Sequence, residues 1–374
     1  MRKPIIVLIA LLTAASAAFL GCQKEAEEAN AGQAAPAEPL KIVNLINGNL
    51  GDKSFFDSAA HGMDLVKAEF GDDVMVKTVE MTYDETKWEP TLLDAADEDW
   101  DIIIVGTWQM TEMLQDVAAE YPDKKFIIYD TAVDYSLGLE NVYSILYSQN
   151  EASFVAGAMA AAITSSDMPL ANDEPVIGFL GGMDIPVIND FLVGYIEGAR
   201  YVDPGTKVAI SYIGSFSDSA KGKEMALAQY NLGADIGYNV AGQAGLGQLD
   251  AAKDVNRYAI GVDSDQAAIF AETDMAKADL ITTSVLKRVD MSLLRAVEMH
   301  VDGTCPYGRA ETLGFAEEGV GIAKNDIYTG LVPSDIRALV DEVEQKIRSG
   351  EIEVSSALGM DTEALNAIRN AVKP

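Results

Sequence analysis

From residue 40 onward the chain alternates short, unbroken apolar runs with stretches of helical periodicity. A first series holds KIVNLIN (41–47), VMVKTVEM (74–81), DIIIVG (101–106), KFIIYD (125–130) and VYSILY (142–147). Helical spacing lies between them over about 54–69, 86–97 and 109–120, and a longer Ala- and Gly-rich helix covers about 150–164. SDMPLANDEP (166–175) interrupts the pattern. A second series follows with VIGFLGG (176–182), KVAISYIG (207–214), ADIGYNVAG (234–242), YAIGVD (258–263) and LITTSVLK (280–287). Its helices run to about 200, over 218–232 and 245–256, and to about 301. β-Branched runs that do not alternate with polar residues suit strands buried on both faces, which is the habit of parallel sheets with crossover helices.

The expected fold class is therefore α/β, with two doubly wound parallel-sheet lobes of similar construction. The expected first lobe covers 40–165 plus about 285–325, and the second covers 166–284 plus about 326–374. The tail PSDIRALVDEVEQKIRSGEIEV has Pro and Ser at a helix start, helical apolar spacing and a Gly just past the end.

Ligands of open α/β sheets bind just outside the carboxyl ends of the strands. The residues that follow each strand are Asn49, Asp52, Phe55 and Phe56, then Trp108, Asp130, Phe216, Gly242 in a Gly-rich turn, Asp263 and Lys287. Aromatic rings alternate here with single polar anchors. Rings accept a flat base or a sugar face, and carboxylates accept hydrogen bonds from hydroxyl or ring N–H groups. This suits a neutral, hydroxylated, planar ligand such as a nucleoside. One Lys among several carboxylates makes a poor phosphate site, and no Gly-x-x-x-x-Gly-Lys loop is present. Each residue also has a plainer role open to it. Phe55 and Phe56 can staple the loop to the core, Trp108 can cover the sheet end, Asp263 can cap the next helix, and Lys287 can sit in solvent. Asp218 reads as a helix cap.

Composition narrows the classes. The chain has 27 Lys and Arg against 59 Asp and Glu, a net charge of −32, which repels nucleic acid and anionic membranes. Two His and two Cys form no metal-ligand spacing, and the expectation is no metal and no cofactor. No Gly-x-Ser-x-Gly is present, and His61 and His300 fall within helices, so an enzyme such as a nucleoside hydrolase is disfavoured. The first residues read MRKP, then an apolar core, then FLGC. This resembles a bacterial lipoprotein signal over 1–21 with Cys22 as the lipidated residue, ahead of a polar tether over 22–39. An ordinary signal peptide or an uncleaved anchor are the alternatives.

Longer motifs carry a resemblance. GDKSFFDSA, GFLGGMDIPVINDFLVGYIEGA, YIGSFSDSAKGKEMA, AGQAGLGQLDAAKD, AIGVDSDQ, TSVLKRVD and the tail from EEGVGIAKNDIY onward resemble the basic membrane protein family of PnrA-like purine-nucleoside-binding lipoproteins. The resemblance spans roughly 40–355. It implies a type I periplasmic-binding-protein fold with three crossover segments, and an extracytoplasmic, membrane-anchored receptor that delivers a purine nucleoside (guanosine, inosine or adenosine) to an ABC permease, as a monomer by default. It implies that Phe55 and Phe216 stack on the base, that Asp130 contacts the base, and that Asp263 and Lys287 hold the ribose while Gly242 lies in a turn against the ligand. Ser54-Phe55-Phe56 replaces the family's usual Ser-Phe-Asn, which removes a donor and acceptor and adds apolar surface. A same-fold receptor for a pentose, another nucleoside or a furanosyl signalling molecule is the alternative that Phe56 and Trp108 support.

Overall fold

The computed structural model describes residues 38–374, so the expected signal segment and Cys22 lie outside the described residues. The chain runs β1 (Leu40–Ile46), α1 (Phe55–Phe70), β2 (Val74–Glu80), α2 (Trp88–Asp97), β3 (Ile102–Gly106), α3 (Thr111–Glu120), β4 (Lys125–Tyr129), β5 (Val142–Tyr147) and α4 (Gln149–Thr164). It continues through β6 (Val176–Gly181), α5 (Pro186–Val202), β7 (Lys207–Tyr212), α6 (Ser219–Asn231), β8 (Ile236–Val240), α7 (Gly242–Val255), β9 (Tyr258–Asp263), α8 (Gln266–Ala271), α9 (Met275–Ala278) and β10 (Ile281–Lys287). Last come α10 (Val289–Val301), β11 (Arg309–Leu313), β12 (Val320–Ile322), α11 (Asp326–Leu331), α12 (Ser334–Arg348) and α13 (Thr362–Ala371).

Two six-stranded sheets result, ordered β11-β5-β4-β3-β1-β2 and β12-β10-β9-β8-β6-β7. The first is parallel throughout. In the second only β12 runs antiparallel, against β10. Every residue of β3, β6, β8 and β9 is buried, as their apolar runs require. Each fully buried Val or Ile contributes about 1.5–3 kcal/mol relative to exposure. Strand order reverses between β1 and β3 in one sheet and between β6 and β8 in the other, which gives each lobe a crevice at its strand ends.

The chain crosses between lobes three times: after β5, after β10, and between β11 and β12. The first crossing lies earlier than the sequence suggests. Helix α4, assigned above to the first lobe, packs on α5 and against β12 and β10 of the second. Its Ala and Gly surface is the reason. At Gly157 an added Cβ would lie 2.0 Å from the Tyr195 carbonyl oxygen, and at Gly198 one would lie 1.8 Å from the Phe154 carbonyl oxygen. The backbones of α4 and α5 touch, and nothing larger than Gly fits between them. Likewise Val285–Lys287 and β12, assigned above to the first lobe, are strands of the second sheet, while α10 and β11 return to the first lobe, packing on α1 and pairing with β5.

Candidate ligand-binding site

The strand ends of both lobes face one cavity of about 240 Å³. Its wall holds Asp52, Phe55, Phe56, Trp108 and Asp130 from the first lobe, and Phe216, Gly242, Asp263 and Lys287 from the second. Asn49 is not in the wall. Asn47 is there instead, one residue past the end of β1. The Asn47 amide nitrogen donates to Thr107 Oγ1 at 2.8 Å, and its Oδ1 is buried without a partner.

The backbone at the strand ends is unusual. Thr107 after β3 (φ 71°), Asp130 after β4 (φ 69°) and Asp263 at the end of β9 (φ 62°) all have positive φ. Thr107, with ψ 152°, sits in a region that β-branched residues avoid. Such conformations cost about 1–3 kcal/mol each and gather where a site needs a particular side-chain direction. Gly242 (φ 53°) opens α7 beside Phe216, and the Phe216 carbonyl accepts the Ala244 N–H at 2.8 Å.

Asp52 serves α1 itself. Oδ1 accepts the N–H groups of Ser54 (3.0 Å) and Asp57 (3.1 Å), and Oδ2 accepts that of Phe56 (2.9 Å). Ser54, the helix N-cap residue, makes no side-chain cap bond, so Asp52 supplies those acceptors. Burial pushes the Asp52 carboxyl up to about 7, against the pull of these N–H groups. Phe56 is 6 % exposed and lies over Gly48, where an added Cβ would meet its ring at 2.1 Å. It also packs edge-on against Phe55, with ring centroids 5.3 Å apart. Most of Phe56 is therefore core, and Phe55 is the more open of the pair. Phe216 covers Gly182 in the same way, with 2.4 Å from its ring to an added Cβ. Trp108 is 48 % exposed at the cavity mouth.

Asp130 and Lys287 bridge the lobes, with Nζ 2.5 Å from Oδ1 and side chains 11 % and 3 % exposed respectively. The ammonium also lies 4.8 Å from the Phe191 ring centroid and 5.6 Å from that of Phe55. Asp263 does not cap α8. That role belongs to Asp265, which accepts the Ala268 N–H at 3.1 Å. Asp263 Oδ2 instead accepts the Ser54 hydroxyl across the cleft. Its carboxyl is pushed up to about 6 by burial and by Asp130, with Lys287 and Ser54 pulling the other way. The Ser264 hydroxyl donates to the Ser54 carbonyl (3.1 Å) and the Gln266 amide to the Lys53 carbonyl (3.1 Å), so the two lobes touch directly beside the cavity. Asp218 caps α6 by accepting the Lys221 N–H at 3.0 Å. His61 and His300 lie in α1 and α10 and are not in the cavity wall.

The carboxylates of the wall are Asp52, Glu85, Asp130 and Asp263, set against the single ammonium of Lys287. Tyr83, Trp88, Gln109, Ile188 and Phe191 also line the cavity; the strand-end rule takes in Tyr83, Gln109 and the stretch 183–191 after β6 but singles out none of them. Asn47 is within reach of that rule. Ile188 and Phe191 lie inside α5, where helical spacing reads as ordinary core.

Residues 40–357 match the family described as ABC transporter substrate-binding protein PnrA-like. The chain belongs to that family. PnrA-like proteins are extracytoplasmic substrate-binding components of ABC transporters, and this member has their type I periplasmic solute-binding fold. Among its relatives, the ABC transporter nucleoside-binding protein BmpA of Lactococcus lactis subsp. cremoris is 28 % identical over 361 residues, 93 % of this chain and 99 % of that one. Basic membrane protein A of Borreliella burgdorferi is 28 % identical over 352 residues, covering 93 % and 95 %. A solute-binding protein of an ABC transporter system from Aeropyrum pernix K1 superposes with a TM-score of 0.74 at 28 % identity, over 89 % of this chain and all of that one. Among the described residues of this PnrA-like protein, no helix is long and apolar enough to cross a membrane.

Proposed function

We propose that this protein captures purine nucleosides between its lobes and hands them unchanged to a membrane permease, held at the membrane by a lipid on Cys22. The observation that carries this reading is the composition of the cavity wall. Rings from both lobes, Phe55 and Phe216, stand with acceptors Asp130 and Asp263 and a single ammonium, Lys287. Rings offer faces to a base, and the carboxylates take hydroxyl and ring N–H donors. The name of the Lactococcus lactis relative, a nucleoside-binding protein, supports the same class. Four carboxylates in the wall disfavour a phosphate on the ligand, because like charges brought together cost several kcal/mol. Binding needs no metal or cofactor. Closure excludes water around the Asp and Lys contacts and strengthens them.

The test is calorimetric titration of the purified protein, unfolded and refolded first to strip retained ligand. The panel is guanosine, inosine, adenosine, cytidine, guanosine monophosphate, ribose and the free bases. Tight binding of a purine nucleoside, with cytidine, ribose and the monophosphate far weaker, is the expected result. Binding of ribose alone would favour the pentose reading, which half-exposed Trp108 supports. Release of free base on incubation would make the protein an enzyme and end the transport reading.

Asp263→Ala is expected to weaken nucleoside binding by about 2–4 kcal/mol, from the loss of charged hydrogen bonds in a buried site. Unchanged affinity in that titration would remove Asp263 from the ligand's contacts. The same residue sets a pH dependence. Its carboxyl, raised to about 6, must be ionised to accept two donors from a ligand. Affinity should hold above pH 6 and fall as pH drops below it, by up to about tenfold per unit. Asp263→Asn should flatten that profile, and a wild-type profile already flat from pH 5 to 8 would refute the assignment.

A further inference from the structure

Beside the main cavity lies a second chamber of about 350 Å³. The two share Trp108, Asp130, Ile185 and Val187, so the chambers adjoin along these residues. Beyond Asp130 the wall is mostly apolar: Leu146, Tyr147, Pro186 and, from the C-terminal tail, Leu358. Two of these walls are exposed large hydrophobics, Trp108 at 48 % and Leu358 at 42 %, in a chain whose net charge is −32. Neither contacts enough protein to be buried by the fold, and a group placed between them would cover both.

The chamber's walls are held in place. Buried Asp190 of α5 accepts the Ser356 hydroxyl (2.6 Å) and the Ala357 N–H (2.8 Å), which fixes the tail immediately before Leu358. Its other oxygen accepts the amide of Gln149, itself a chamber residue, at 2.5 Å. Arg369 of α13 pairs with Asp184 (2.5 Å) and donates to Asn189 Oδ1 and the Tyr212 hydroxyl (both 2.7 Å). These contacts anchor the segment that carries Ile185, Pro186 and Val187. The tail thus builds a wall of the ligand space, through buried polar groups that do not reach the main cavity.

We propose that this second chamber is a subsite for an apolar substituent, and that the preferred ligand is a purine nucleoside bearing one. The inference rests on the nucleoside reading above. A ring or alkyl group directed past Asp130 would bury the faces of Trp108 and Leu358, and the polar part of the ligand would stay with Asp130, Asp263 and Lys287. Burial of apolar surface favours such a group over an unsubstituted nucleoside.

The experiment is titration of the refolded wild-type protein and of Leu358→Ala with six ligands. These are adenosine and guanosine, each unmodified, with a benzyl group on the exocyclic amine, and with a methylthio group at the 5′ carbon. In the wild type at least one substituted form should bind tenfold or more tighter than its parent, and that ratio should fall toward one in Leu358→Ala. Trp108→Ala provides an independent reduction of the same ratio, from the other wall. If the parents bind and no substituent improves on them, or if the gain survives both variants, the subsite falls and the nucleoside reading stands. If neither parent nor substituted nucleosides bind, both fall together.

Discussion

Lys287→Met should cost about 3–5 kcal/mol of stability and abolish measurable nucleoside binding, because it leaves a buried carboxylate without its partner. The pair it breaks is 2.5 Å long and nearly sealed from water, with Lys287 3 % and Asp130 11 % exposed. A surface pair would be worth far less. Lys287 is also the one cation among the described residues of the cavity wall, and it pulls Asp263 toward the ionised state. Removing it should raise the Asp263 carboxyl further and weaken the second acceptor as well. The pair joins the two sheets, so its loss also loosens one lobe from the other. Urea denaturation measures the first effect and calorimetry the second. Asp130→Asn combined with Lys287→Met should recover part of the lost stability, since no unpaired charge then remains buried. A single-variant loss under about 1 kcal/mol would mean that the carboxylate is well solvated after all.

Gly198→Val should be as damaging, with no change in charge. A Cβ at position 198 falls 1.8 Å from the Phe154 carbonyl oxygen, and one at Gly194 falls 2.1 Å from the Asn150 carbonyl oxygen. The obstacle is backbone, so no rotamer change relieves it and α4 must move off α5. The expected loss is about 3 kcal/mol or more, and failure to accumulate folded protein is the extreme form. Gly198→Ala gives a sharper sign test. In an isolated helix that change stabilises by about 1 kcal/mol. Here thermal denaturation should show it destabilising, and a raised melting temperature would show that the helices can separate cheaply.

Most of the strand framework is legible in the sequence because strands buried on both faces leave unbroken apolar runs, a pattern that few kinds of segment share. The ligand wall is legible for a related reason. Where an apolar run stops and a Phe, Trp or lone Asp follows at once, the side chain stands at the sheet's carboxyl edge. Lobe membership is less so. Helix α4 is apolar all round, which says that it is buried and not against which sheet. The glycines that decide the matter sit partly on α5, beyond a whole intervening strand, and no local pattern links the two helices. The pattern points to Asn49 where the structure has Asn47, because the end of a strand is uncertain by a residue or two from pattern alone. Asp52 reads as a ligand contact and proves to terminate three backbone N–H groups, a role that depends on how the loop turns. Tyr83 comes from the connection after β2 and Trp88 opens α2, and no periodicity there points to the cleft.

The three crossings have a consequence for the order in which the molecule can be made. The first lobe's edge strand, β11, ends at Leu313, and β12 of the second ends at Ile322. Neither lobe corresponds to a contiguous stretch of chain, so neither can be finished while synthesis is still early. An emerging chain can pair β1 to β5 but waits for nearly all of its length before that sheet is complete, and the tail that walls the second chamber emerges last. Assembly of the two halves is therefore a late and nearly simultaneous event, and a truncation that spares the whole first series of strands would still leave an unfinished first lobe.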